Sequence, residues 1–115
     1  MENKNVEEIW GEIEAKLLEK STPYEKVNAV FQFELTDAED GIYQLELSDG
    51  SAAVYYDANK KADCTLKMKE KYFRKFLQGD LNSTAAFMSG KLKVNGNIGL
   101  ALKLESMLTQ YDFAK

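Results

Sequence analysis

Histidine is absent from this chain of 115 residues, and cysteine and proline occur once each. The missing histidine removes the commonest general base and the commonest metal ligand. A lone cysteine, Cys64, excludes an internal disulfide and suits a reducing compartment. No apolar run approaches the roughly 18 residues of a membrane span. The stretch from Met1 to Glu8 is charged and lacks the apolar core of a secretory leader, so a cytoplasmic protein is expected. Acidic residues fall on polar faces and turns, with no paired carboxylates and no metal-ligand spacing. A net charge of −4 argues against general nucleic-acid binding. No catalytic residue, cofactor or metal site is therefore assigned.

What remains is the composition of one globular domain, residues 1–115, large enough for a single core and too short for two. The charge is uneven along it. Residues 1–40 hold 11 acidic and 4 basic side chains, whereas residues 60–103 hold 10 basic and 3 acidic ones. A solvated dipolar surface explains this pattern, as does a basic face that docks on anionic lipid or an acidic partner.

Val6, Ile9, Trp10, Ile13 and Leu17 form the stripe of an amphipathic helix that Pro23 closes. Ala29, Phe31, Phe33 and Leu35 alternate with polar residues, the period of a half-buried strand. After the Asp40-Gly41 turn, Tyr43, Leu45 and Leu47 alternate with Gln44, Glu46 and Ser48, and the Asp49-Gly50 turn leads to a strand near Ala52 to Tyr56. Ala62, Cys64, Leu66 and Met68 mark a fourth strand, with Cys64 on its apolar face as a buried, inert thiol. The period then becomes helical at Tyr72, Phe73, Phe76 and Leu77 and stops at Gly79. Asn82 is a plausible cap for a short helix reaching Met88. The grouping predicts an α+β domain with a five-stranded, mostly antiparallel (mixed) sheet and helices covering one face.

The stretch from Phe87 to Leu104 supplies the last strand and helix. Gly90 suits a helix cap, Leu92 and Val94 alternate with lysines, and Gly96-Asn97 signals a turn. Gly99, in the first turn of the final helix, suggests close approach to the backbone there. The glycines fit neither a dinucleotide fingerprint nor a phosphate loop, so phosphate binding is rejected. The final helix carries apolar residues at Leu100, Leu102, Leu104, Met107 and Leu108, on more than one face. Such a helix is buried on both sides or covers a cavity, and periodicity alone leaves both open.

The run Phe-Met-Ser-Gly-Lys-Leu-Lys-Val-Asn-Gly-Asn-Ile-Gly-Leu-Ala-Leu-Lys-Leu from Phe87 resembles the signature of the sterol carrier protein type 2 family. Lys61-Ala62-Asp63-Cys64-Thr65, Phe76-Leu77-Gln78-Gly79 and Leu81-Asn82 are similar to it as well, and the likeness covers nearly the whole chain. The resemblance implies non-enzymatic binding or transfer of a fatty acid, acyl-CoA, phospholipid or sterol in an apolar tunnel between the sheet and the C-terminal helices. It implies lipid contacts at Phe31, Phe33, Leu45, Phe73, Phe76, Leu77, Phe87, Met88, Ile98, Leu102 and Met107, and Gly99 with the helix after it as one cavity wall. The partners expected are a small apolar lipid and a transient membrane contact, with the protein a monomer or weak homodimer. Many relatives have proline where this chain has Ser83, and eukaryotic ones often end in a peroxisomal Ser-Lys-Leu type signal. The ending Phe113-Ala114-Lys115 instead fits a free-standing cytoplasmic member. The competing reading is a protein interaction or dimerisation module, with Met107, Leu108, Tyr111 and Phe113 as an exposed apolar patch.

Overall fold

The computed structural model describes residues 4–113; the expectations about the leader and the terminal signal fall partly outside them. Helix α1, Val6–Glu19, starts where Asn5 and Glu8 form a reciprocal cap. The Asn5 side chain accepts from the Glu8 amide at 2.8 Å, and the Glu8 carboxylate accepts from the Asn5 amide at 3.0 Å. A 3-10 turn at Thr22–Tyr24, unforeseen from the pattern, follows around Pro23. Strands β1 (Ala29–Leu35), β2 (Ile42–Ser48), β3 (Ser51–Tyr55) and β4 (Cys64–Met68) come next. Helices α2 (Glu70–Leu77) and α3 (Ser83–Met88), strand β5 (Leu92–Gly96) and helix α4 (Ile98–Leu108) complete the order.

The sheet runs β3-β2-β1-β4-β5, with β1 and β4 parallel and the other pairs antiparallel. It is the mixed α+β arrangement expected. Alternation puts Phe31, Phe33, Tyr43, Leu45, Leu47, Cys64, Leu66 and Met68 on the face that the helices cover, all buried. The α1 stripe of Val6, Ile9, Trp10, Ile13 and Leu17 is buried against it. Trp10 stacks on Tyr43 and Phe73 at centroid distances of 5.5 and 5.3 Å and meets Phe33 edge-on at 5.1 Å. Two hydrogen bonds tie α1 to the sheet: the Tyr43 hydroxyl donates to Glu7 at 2.8 Å, and the Val54 amide donates to Glu14 at 3.0 Å.

The other face is polar, with one departure from the pattern. Gln44 is fully buried, because residues 56–63 cross over it. Its amide donates to Gln32 and to the Lys60 carbonyl, each at 2.8 Å, so the buried group is satisfied.

Candidate functional site

Strand β5 forms one edge of the sheet, and α3 and α4 flank it. Asn82 caps α3 by accepting from the Ala85 amide at 2.9 Å, as its position suggested. The helix closes with the Gly90 amide on the Phe87 carbonyl and the Lys91 amide on the Ala86 carbonyl at 2.9 Å, a Schellman closure that needs the positive φ of Gly90. At the other end of β5, Gly96 has φ +91°, and a Cβ there would meet the Asp63 carbonyl oxygen at 2.6 Å. Asn97 then caps α4 through the Leu100 amide. This chain path leaves an apolar groove of 160 Å³ between α3, β5 and α4. Phe87 and Thr84 form one wall, Ile98, Ala101 and Leu102 the other, with Leu92 and Val94 beneath.

The eleven residues expected to touch lipid fall in three places. Phe87, Ile98 and Leu102 line the groove and are 42, 45 and 42 % exposed. Met88, 81 % exposed, lies on the outer side of α3 and outside the groove lining. Phe31, Phe33, Leu45, Phe73, Phe76, Leu77 and Met107 are buried in the core, where Phe33 packs on Phe73 and Phe76. Those side chains fill one another's space rather than face the groove. The stretch Met107, Leu108 and Phe113, expected as an exposed patch, is buried as well, and Tyr111 is half-buried. Gly99 also departs from expectation: a Cβ there would meet only the Asn97 side chain, at 3.1 Å, so the cap of its own helix is what approaches.

Ser83, Leu92, Val94 and Ala101 were not singled out by the pattern, yet all line the groove. Their signal was weak, because alternation marks Leu92 and Val94 simply as core-facing strand residues. Ser83 is 2 % exposed, its hydroxyl has no hydrogen-bond partner, and its amide donates to the Glu105 carboxylate at 3.1 Å. The lining holds no ionisable side chain. Cys64, below it, has its thiol pushed up to about 11 by burial, so it is neutral and unreactive at pH 7. Among the described residues no cluster could hold a metal ion, and no helix is long and apolar enough to cross a membrane. The arrangement can hold an apolar group; it offers no acid–base pair.

Residues 12–109 match the SCP-2 sterol transfer family. The chain belongs to that family. It is 38 % identical over 111 residues to rat sterol carrier protein 2, covering 93 % of this chain and 20 % of that protein. It is 45 % identical over 83 residues to mouse hydroxysteroid dehydrogenase-like protein 2, covering 71 % of this chain and 17 % of that protein. The chain thus spans a fifth or less of these two relatives. The solution structure of sterol carrier protein domain 2 of Helicoverpa armigera superposes with a TM-score of 0.72 at 27 % identity, covering 90 % of this chain and 84 % of that one. In this chain the apolar groove lies at the β5 edge of the SCP-2 fold.

Proposed function

We propose that the protein is a non-enzymatic lipid carrier, and that the apolar part of an acyl or sterol-type ligand enters the groove between α3, β5 and α4. The observation that carries this reading is the convergence of half-exposed Phe87, Ile98 and Leu102 on a lining without charge. Apolar side chains left open to water gain about 25 cal/mol per Å² when a ligand covers them. Membership of a sterol transfer family points the same way.

The groove is small for this task. Its 160 Å³ lies below the ~300–1,000 Å³ of small-molecule sites. A ligand therefore enters by moving a wall, and α3 is the wall with least to hold it, a helix of six residues burying only Ser83 and Ala86. As α3 lifts, the ligand would reach inward toward Phe73, Phe76, Leu77, Met107 and the sheet residues Phe31, Phe33 and Leu45. Membrane contact for loading, and a cytoplasmic setting that suits the single thiol, belong to the same reading.

Native mass spectrometry of the purified protein should reveal a bound lipid, and a fluorescent fatty acid should titrate to saturation. If neither occurs, the carrier reading falls. A second reading takes the groove rim with Met88 as a contact between two copies of the chain, since these apolar residues lie exposed together. Light scattering separates the two: a monomer at all concentrations removes the dimer.

A further inference from the structure

The basic excess of residues 60–103 gathers in the structure at one corner. A cleft of 290 Å³ lies where the β4–α2 junction faces the α3–β5 junction, and Lys67, Lys69, Lys91 and Lys93 line it. Lys67 and Lys93 are direct cross-strand partners in the antiparallel β4–β5 pair. Like charges in that position are destabilising. The Nζ atoms of Lys71 and Lys91 lie 5.1 and 5.7 Å from the centre of the one Tyr72 ring, so Lys71 joins as a fifth cation. No carboxylate lines the cleft. Glu34 pairs with Lys67 at 3.7 Å, Glu70 is held by Arg74, and Asp37 accepts from the Glu70 amide. Folding alone gains nothing from such crowding.

The corner is also amphipathic. Met88 projects into solvent three residues before Lys91, and Phe87 beside it forms the groove wall. Acidic side chains concentrate on α1, at Glu7, Glu8, Glu12 and Glu14. We propose that the α3–β5 corner docks on an anionic bilayer surface, with Met88 dipping among the lipids while Lys69, Lys71, Lys91 and Lys93 meet the phosphates. Charge complementarity selects this occupant: four lysines and no carboxylate in the cleft lining, beside an exposed thioether, suit a negatively charged interface. The inference rests on the carrier reading, because docking here places the groove wall at the membrane, where lipid is exchanged.

Co-sedimentation with vesicles tests it, using phosphatidylcholine alone and equal parts phosphatidylcholine and phosphatidylserine. The protein should bind only the anionic vesicles, and salt should release it. Each lysine near such a surface counts for roughly a five-fold change in binding. The Lys69→Glu, Lys91→Glu double variant should therefore lose about a hundred-fold or more, while Lys26→Glu with Lys61→Glu, at the other end of the sheet, should bind as before. Met88→Ser should weaken binding several-fold. All five positions are exposed, and circular dichroism checks that the variants fold. Equal binding to neutral vesicles, docking unchanged by the Lys69 and Lys91 reversal, or protection of these lysines by inorganic phosphate without vesicle binding overturns the proposal. Titration with a fluorescent fatty acid in the absence of vesicles reads the groove separately. Failure there with docking intact would overturn the carrier reading and leave the docking face supported.

Discussion

The two halves of this sheet carry similar apolar strands under different covers. Over β1, β2 and β3 lies α1, with 14 residues, a reciprocal cap, five buried apolar side chains and two hydrogen bonds to the strands. Trp10 fills the space beneath it against Phe33, Tyr43 and Phe73. Over β5 lies α3, with six residues, whose buried side chains are only Ser83 and Ala86. Leu92 is buried all the same, but Val94 is only partly covered, and the second half stays open beside Phe87, Ile98 and Leu102. Whether a helix seals a sheet or leaves a groove is decided here by helix length and by the size of the residues it turns inward.

If that contrast is right, substitutions in the two halves should act on different quantities. The largest effect on stability is expected in the closed half. Phe33→Ala removes a ring packed on three others and should cost about 3–5 kcal/mol in chemical denaturation. In the open half, Leu102→Arg should leave stability within about 0.5 kcal/mol, since the side chain is half-exposed and its charge stays in water. A buried arginine would have cost several kcal/mol, the expectation if Leu102 faced a closed cavity. Affinity for a fluorescent fatty acid should fall about ten-fold or more, because a bound apolar chain would then have to cover the charge. A stable variant with unchanged affinity would mean that the groove is not the site.

Ser83→Ala sharpens the contrast from the other side. Removing a buried hydroxyl that has no partner should raise stability by up to about 1 kcal/mol and leave binding of a wholly apolar probe intact. Loss of stability would show instead that the hydroxyl makes a bond. At ordinary pH the smallest effect is that of the buried acids. Burial holds Cys64 at about 11 against an ordinary 9.0, and Tyr111 at about 12 against 10.0. A raised pKa favours the folded protein below the unfolded value and loses that contribution as pH climbs through the folded one. Stability should thus be flat up to about pH 9 and decline progressively between there and pH 12. Thermal melts across that range check it, and a thiol reagent at neutral pH should label Cys64 only on unfolding.

Much of the closed half was legible in the residues. The 3.6-residue stripe of α1 and the period-2 strands depend on local alternation, which tertiary packing here respects. The caps at Asn82 and Gly90 were readable for the same reason: their chemistry is local. Non-local facts were not. Gln44 reads as a solvent residue until a distant loop crosses it, and Met107, Leu108 and Phe113 read as surplus apolar area until the core receives them. The excess of apolar residues on α4 pointed correctly to a second surface. Which side chains meet there, Ser83, Leu92 and Val94 included, depends on how little α3 covers, and periodicity holds no measure of that.

The carrier reading is tested most directly by methyl and aromatic NMR of the labelled protein during titration with palmitate. Saturable shifts should be largest at Leu92, Val94, Ile98, Leu102 and Phe87 and fall off toward the Trp10 indole. Shifts centred on Trp10, Phe33 and Leu45 with the groove silent, or no saturable shift at all, would contradict it.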